Sequence, residues 1–187
     1  DWILLDMEHS ANDVQSVVSQ SQAIQAKNKS EVLVRPAWND SVKIKPLLDY
    51  GFNSLIIPMV NNKEDAKKAV EACYYPPKGV RGVAMSQRGN DYTRDKDYFK
   101  NIEENICLIP QLETVKSIDN ISGIVNTDGV TALFIGPADL SADMGILGEF
   151  DNKELWKMIE KAVVDIKKNN KSVGTLIGRK DLSLIHI

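Results

Sequence analysis

Six short runs of valine, isoleucine and leucine recur along the 187-residue chain, and longer segments of helical character separate them. The runs occupy residues 2–6, 31–35, 54–58, 106–113, 131–137 and 173–178. They are nearly continuous in apolar residues, which is typical of parallel strands that are buried on both faces. Strands that alternate with helices predict βαβ units and a parallel sheet, and they disfavour sandwich and meander folds.

Four segments between these runs predict helices, namely residues 12–26, 40–50, 62–73 and 151–170. Asn12 or Asp13 can cap the first of them, and Asp40 can cap the second. Pro46 should kink or shorten the second helix, because proline lacks the N–H that a helix interior needs. The last segment has the clearest pattern, with an apolar stripe on one face and lysines in its final turn.

The segment from Tyr75 to Asn105 breaks this alternation. It is rich in glycine, serine, arginine and asparagine, and it regains helical character only near residues 97–104. A connection of this length inside a compact domain is usually functional or forms a lid. We therefore expect it to contribute to function.

The number of strand–helix units constrains the architecture further. Six units are too many for a small sheet and too few for a closed eight-stranded barrel, which typically needs ~250 residues. The chain begins on a strand, and residues 180–187 form a doubtful tail with no closing helix behind it. We expect a single domain over residues 1–187 that is an interior fragment of a (β/α)₈ barrel, with an open doubly wound sheet as the alternative.

Composition excludes several classes of partner. The net charge of −3 and the absence of a basic run with aromatic residues argue against nucleic acid. No apolar stretch approaches the ~18 residues that a membrane helix needs, and no basic signal-peptide region precedes residue 2, so we expect a cytoplasmic protein with no membrane partner. Cys73 and Cys107 belong to no C-x-x-C pair, which predicts buried free thiols.

Polar residues follow four of the predicted strands. They are Asp6, Glu8 and His9 after the first, Arg35 at the end of the second, Gln111 and Glu113 in the fourth and Asp139 after the fifth. Because reactive groups of a parallel α/β fold gather beyond the carboxyl ends of the strands, these side chains should share one rim. Carboxylate oxygens suit Mg²⁺ or Mn²⁺, and Glu113 and Asp139 are the first-choice ligands.

Each of these residues also has a purely structural interpretation. An acid at a strand end often caps the next helix, and Asp6, Glu113 and Asp139 could each do so. Arg35 could pair with a neighbouring acid, and a lone histidine such as His9 is more often structural than catalytic. Their coincidence on four strands favours a shared site over four separate caps.

Five motifs occur in a fixed order along the chain. They are D-M-E-H-S from residue 6, V-R-P-A-W-N-D from 34, Y-P-P-K-G-V-R-G from 75, Q-L-E-T from 111 and F-I-G-P-A-D-L-S from 134. Together, over residues 1 to about 177, they resemble the HpcH/HpaI aldolases, a family of class II pyruvate aldolases. The resemblance implies a (β/α)₈ barrel of the phosphoenolpyruvate/pyruvate type of which about strands two to seven are present.

The resemblance also implies a metal site and a substrate site. Glu113 and Asp139 match the metal-binding carboxylates, for Mg²⁺ or Mn²⁺ with Co²⁺ as a third candidate, and Gln111 lies beside them in the substrate site. The loop whose backbone N–H groups hold the pyruvyl carboxylate is matched by Gly136, Pro137, Ala138 and Asp139.

Four catalytic roles are implied in the same way. Arg35 matches the residue that contacts the keto oxygen of the substrate. His9 matches the acid–base group, and Asp6 and Asp49 match acids that support it.

The resemblance implies an aldolase that cleaves a 4-hydroxy-2-oxo or 2-oxo-3-deoxy acid to pyruvate and an aldehyde through a metal-stabilised pyruvate enolate. A lysine Schiff base is disfavoured because no lysine ends any of the first five strands. A homo-oligomer, trimer or hexamer, is implied as well. The alternatives are an enzyme of the citrate lyase or malyl-CoA lyase type and a non-catalytic ligand-binding barrel fragment.

Overall fold

The computed structural model describes residues 2–26 and 30–176, and its centre is one sheet of six parallel strands. The strands are β1 Trp2–Asp6, β2 Glu31–Arg35, β3 Ser54–Ile57, β4 Cys107–Leu112, β5 Ala132–Ile135 and β6 Ser172–Thr175. All six predicted strands are present. The tail predicted over residues 180–187 lies outside the described residues.

The strands follow one another across the sheet in chain order, from β1 to β6. A doubly wound sheet reverses direction at a switch point, so that alternative is wrong. A sequential order of parallel strands with helices between them is the order of a (β/α)₈ barrel, and the six strands form an incomplete barrel. The predicted fold class is confirmed.

Eight α-helices lie in the described part of the chain, and the first three begin at residues that cap their backbone N–H groups. They are α1 Val14–Gln25, α2 Ser41–Asp49, α3 Lys63–Cys73, α4 Tyr98–Asn105, α5 Val115–Asp119, α6 Ile121–Val125, α7 Pro137–Asp143 and α8 Lys153–Lys168. Asp13 and Asp40 cap α1 and α2 through their side chains, as predicted, and Asn62 caps α3. Pro46 lies inside α2, which ends three residues later at Asp49.

Alternate residues of each strand face opposite sides of the sheet, and both sides are apolar. Val34, Leu55 and Ile57 belong to the large cluster that packs against the helices. Leu33 and Ile56 belong to a second, smaller cluster on the concave face, which also contains Phe134 and contacts Leu4 and Ile109. Burial on both faces explains why the strands are continuous in apolar residues.

The same alternation determines where the polar residues point. Asp6 is two residues beyond Leu4, Arg35 is two beyond Leu33 and Gln111 is two beyond Ile109. Since side chains two apart in a strand share a face, these three polar groups continue the inner cluster toward the carboxyl rim. The register pairs Asp6 directly with Arg35.

The segment of residues 75–97 lies at the other end of the sheet. It connects α3 to α4 and β4, so it belongs to the amino ends of the strands and not to the rim that carries Arg35. It contains a 3₁₀ helix, Arg88–Thr93, in which Asp91 and Tyr92 have positive φ. Within one chain this segment does not cover the predicted site, because a helix-to-strand connection returns the backbone to the amino ends of the strands.

Arg81 anchors this segment to α2. Its guanidinium is fully buried and donates to Asp49 Oδ1 at 2.7 Å and to the Tyr98 hydroxyl at 3.2 Å. It also lies 4.5 Å from the centre of the Tyr75 ring.

The two cysteines are free; Cys73 is buried, and burial raises the pKa of its thiol to about 12, while Cys107 is half-buried.

Candidate active site

Arg35 is the centre of the polar rim, and Asp6 holds it in a two-pronged ion pair. Arg35 Nε donates to Asp6 Oδ1 at 2.7 Å and Nη2 donates to Asp6 Oδ2 at 2.6 Å. This geometry orients the guanidinium plane as well as neutralising it. Burial opposes ionisation of Asp6, but the hydrogen bonds and charge of Arg35 hold the pKa of that carboxyl below its usual value.

Gln111 links Arg35 to Glu113. Its Oε1 accepts from Arg35 Nη1 at 3.3 Å, and its Nε2 donates to Glu113 Oε2. Both Gln111 and Glu113 are 2% exposed. The side chains of β1, β2 and β4 thus form one hydrogen-bonded row, from Asp6 through Arg35 and Gln111 to Glu113.

Glu113 is a carboxylate in a buried position. Burial raises its pKa, and the nearby charges of Glu8 and Asp139 raise it further, whereas hydrogen bonds from the Met59 backbone and Gln111 act in the opposite direction. Its Oε1 accepts from the Met59 N–H at 2.6 Å. Two hydrogen bonds leave lone pairs on both oxygens of Glu113, since an ionised carboxylate has about four acceptor sites.

Glu8 also belongs to this group, although sequence reasoning gave it no role. Its side chain is only 12% exposed, and Oε2 lies 3.1 Å from Arg35 Nη1. Oε2 has no well-oriented hydrogen-bond donor among the described residues. Burial raises the pKa of Glu8, in spite of the Arg35 charge. The signal was its spacing, because Glu8 is two residues beyond Asp6.

His9 lies at the outside of the rim. Its ring is 61% exposed, and Nε2 is 3.6 Å from Glu8 Oε2. The Asp6 carboxylate that was predicted to support His9 is bound instead to Arg35 and to the Glu8 N–H, the latter at 3.0 Å. In the structure, the acid beside the His9 ring is Glu8.

Asp49 is not brought to the rim. It is the last residue of α2, a helix that runs from the carboxyl ends of the strands back to the amino ends. Its carboxylate is paired with Arg81. Within one chain, the structure therefore separates Asp49 from His9, which sequence reasoning had placed together.

The segment from Gly136 to Asp139 follows β5 and closes the site. A methyl group on Gly136 would lie 3.1 Å from Glu113 Oε2 and 3.2 Å from Gln111 Nε2, so a larger residue would force these side chains to shift. Pro137 is the first residue of α7, and Ala138 and Asp139 lie exposed in its first turn. No side chain of residues 2–26 or 30–176 caps this helix.

The acids of the rim fit a divalent cation. Glu8, Glu113 and Asp139 are close enough for the charge of Asp139 to raise the pKa of both glutamates. The guanidinium of Arg35 faces this group of acids. Among residues 2–26 and 30–176, no three Asp, Glu, His or Cys side chains are near enough to ligate one ion directly. Two carboxylates with the remaining positions left to water and substrate are a common arrangement for Mg²⁺.

An arginine and several acids at the carboxyl rim of a sequential parallel sheet define an enzyme of the (β/α)₈-barrel class. A profile of the HpcH/HpaI aldolase/citrate lyase family matches residues 1–182. The chain belongs to this family, which confirms the resemblance seen in the five motifs. Class II aldolases of this family use a divalent metal ion.

Individual relatives agree with this assignment. The 4-hydroxy-2-oxo-heptane-1,7-dioate aldolases of Shigella flexneri and Escherichia coli are 45% and 44% identical to this chain over 184 residues, which is 98% of this chain and 68% and 70% of theirs. The crystal structure of a family member from Burkholderia cenocepacia J2315 matches with a TM-score of 0.96 at 32% identity and covers 100% of this chain and 74% of that one.

These relatives confirm the prediction of an aldolase, a carbon–carbon lyase. Separately, no helix in the described parts of the chain is long and apolar enough to cross a membrane.

Proposed function

We propose that this chain carries the active site of a divalent-metal-dependent aldolase that releases pyruvate and an aldehyde from a 4-hydroxy-2-oxo or 2-oxo-3-deoxy acid. The observation that supports it most is the hydrogen-bonded row from Asp6 through Arg35 and Gln111 to Glu113. The names of the bacterial relatives make 4-hydroxy-2-oxo-heptane-1,7-dioate the first substrate to assay.

Glu113 and Asp139 are the proposed metal ligands, with Mg²⁺ or Mn²⁺ as the ion and Co²⁺ as a third candidate. When bound, such an ion supplies Lewis-acid polarisation of a substrate carbonyl. Asp139 is exposed in the first turn of α7, and Glu113 keeps acceptor sites free on each oxygen.

Arg35 is proposed to stabilise the charge that develops in the reaction. Cleavage of the bond between C3 and C4 turns C4 into the carbonyl carbon of the aldehyde and leaves an electron pair on C3, which delocalises onto the former 2-oxo oxygen as an enolate. Protonation of C3 by water then gives pyruvate. A guanidinium that is already oriented by Asp6 stabilises that oxygen without reorganising during the reaction. Gln111 fixes the third nitrogen of the same guanidinium and contributes to the substrate site.

His9 is proposed to accept the proton of the 4-hydroxyl group. The ring of His9 is exposed, so an imidazole there can take up that proton and exchange it with water. Glu8, 3.6 Å from Nε2, is the acid that orients the ring in this proposal.

Gly136 to Asp139 are proposed to receive the carboxylate of the pyruvyl part.

The experiment is an aldolase assay of the purified protein with 4-hydroxy-2-oxo and 2-oxo-3-deoxy acids, followed by pyruvate detection. We expect turnover that EDTA abolishes and that Mg²⁺ or Mn²⁺ restores, and we expect borohydride with pyruvate to leave activity intact. Turnover that survives both EDTA and the double variant Glu113→Ala/Asp139→Ala would refute the proposal. Light scattering of the same sample tests the homo-oligomer, for which we propose a trimer or hexamer.

A further inference from the structure

β3 contributes no side chain to the row of polar groups, but the loop that follows it contacts Glu113 through its backbone. Met59 has a φ of +56°, in the left-handed region that residues other than glycine seldom adopt. In this conformation its N–H points at Glu113 Oε1, 2.6 Å away. An unfavourable backbone conformation persists only where the surroundings enforce it, and such positions cluster at functional sites.

Asn61 provides that enforcement. Its Nδ2 donates to the Met59 carbonyl oxygen at 3.2 Å, and its Oδ1 accepts from the Thr114 hydroxyl at 2.5 Å. Its backbone N–H donates to Asp65 Oδ2 at 3.0 Å, which ties it to α3. The side-chain amide of Asn61 thus connects the Met59 carbonyl oxygen to Thr114, and its backbone N–H is bonded to Asp65.

These contacts form a closed ring. Thr114 follows Glu113 in the chain, so the path runs from Glu113 to Thr114, to Asn61, to Met59 and back to Glu113. Thr114 is itself fixed, because its hydroxyl also accepts from the Ser117 N–H at 3.0 Å as the cap of α5. The loop after β3 and the start of α5 are therefore joined around the Glu113 carboxylate.

We propose that Asn61 is a positioning residue for Glu113. By holding Met59 in the left-handed conformation, it keeps one carboxylate oxygen of Glu113 bonded to a backbone N–H while Gln111 bonds the other, so the carboxylate presents a fixed orientation to the cation. As a positioning residue, Asn61 would act through Glu113 and not by direct contact with substrate or cation. The inference rests on the proposed function, because it takes Glu113 as a metal ligand.

The probe is Mn²⁺ alone, and the readout is its dissociation constant, measured by electron paramagnetic resonance without substrate. Groups behind metal ligands typically change metal affinity about 10- to 100-fold when removed, so Asn61→Ala should weaken Mn²⁺ binding by about 10-fold. The matched control is Asn62→Ala, which removes the cap of α3 next to it but no contact with Met59 or Thr114. It should lower the thermal midpoint and leave the Mn²⁺ dissociation constant unchanged.

A rescue experiment separates positioning from a general structural role. Glycine adopts positive φ without steric cost and keeps the N–H, so Met59→Gly needs less enforcement. In a Met59→Gly background, Asn61→Ala should therefore weaken Mn²⁺ binding less than it does alone. If Asn61→Ala fails to fold, the pair Thr114→Ser and Thr114→Val replaces it, since only serine keeps the hydroxyl that Asn61 accepts from; Thr114→Ser should bind Mn²⁺ as the wild type does.

Two different results would overturn the inference. In the first, the wild type binds Mn²⁺ and Asn61→Ala has the same Mn²⁺ dissociation constant, as does Thr114→Val where that variant is used. This result refutes the role of Asn61 and leaves the proposed function standing. Wild-type protein that binds no Mn²⁺ refutes the metal site and this inference together.

Discussion

Two arginine–carboxylate pairs lie at opposite ends of the same sheet, and their surroundings differ. Arg35, at the carboxyl rim, is 14% exposed and faces Asp6, Glu8 and Gln111. Arg81, at the amino ends, is fully buried beside Asp49 and two tyrosines, and its Nε and Nη1 have no hydrogen-bond partner in the described residues.

The difference separates a site from a structural anchor. At the rim, acids outnumber cations among the described residues, and the buried Oε2 of Glu8 lacks an oriented donor there, which leaves negative charge for a cation to neutralise. Around Arg81, the aromatic rings and one acid fill the space, so the pair fixes a long connection to α2. A buried arginine is thus a poor indicator of function until the charges around it are known.

The largest expected effect tests the anchor. Arg81→Met should lower the free energy of unfolding by about 3–5 kcal/mol, because it leaves the Asp49 carboxylate without its buried partner. Activity per folded molecule should be retained. Arg94→Met is the matched control in the same segment; Arg94 is 75% exposed, so the change should be within about 0.5 kcal/mol. Denaturant titration measures both, and an equal loss in the two variants would contradict the comparison.

The second prediction concerns the rim. Arg35→Lys keeps the charge but loses the two-pronged bond to Asp6 and the contact with Gln111, so kcat/KM should fall by about 10²–10³-fold. The loss of stability should be smaller than for Arg81→Met. Steady-state kinetics and a denaturation curve on the same preparation decide the point. If the variant loses stability but keeps kcat/KM, Arg35 is a structural anchor like Arg81 and not part of the active site.

A third, smaller effect tests the tight packing at the rim. Gly136→Ala places a methyl group about 3 Å from Glu113 and Gln111, so the Glu113 carboxylate must shift and Mn²⁺ affinity should fall by about 10-fold. Gly82→Ala is the matched control, because its methyl group would meet only the Lys45 side chain, at 3.6 Å. Calorimetric Mn²⁺ titration should show no change for that control. Equal affinities for wild type and Gly136→Ala would mean that the Glu113 position is not critical.

The smallest effect is a pH dependence. The pKa of Asp6 lies below its ordinary value of 3.8, so the stabilisation by its ionised form is complete above that pH and is lost as the pH falls through the lowered value. Asp6→Asn should therefore be less stable than wild type near neutral pH, by about 1 kcal/mol. The difference should narrow below about pH 4. Urea titrations at several pH values test this, and a constant difference would exclude ionisation of Asp6 as its cause.

The sequence predicted the strands and most of the rim because those features depend on local patterns. Continuous apolar runs located all six strands, and residue type alone identified Asp40 as one cap and narrowed the other to Asn12 or Asp13, of which Asp13 is the cap. The polar residues at strand ends then followed from one topological rule, that parallel strands end at a common edge.

Three features escaped because they depend on backbone direction or conformation. Asp49 was placed near His9 by motif, yet within one chain a helix that follows β2 ends near the amino ends of the strands, away from the rim. Glu8 was recognised at the rim, but its burial beside Arg35 required the register of β1 with β2. Met59 contributes a backbone N–H, and its orientation depends on a positive φ. Among residue types, only glycine makes a positive φ predictable from the sequence.

The alternation of inward and outward side chains in the strands has a consequence for changes in chain length. Insertion of one residue inside β2, ahead of Val34, would turn Arg35 away from the rim and bring Val34 to its place, which exchanges a guanidinium for an isopropyl group in a single step. The connections at the amino ends of the strands have no such alternation of side chains. The segment of residues 75–97 can therefore change in length without turning any rim residue to the other face of the sheet. Natural or engineered length variation should therefore accumulate in that segment, while the strands tolerate substitution only.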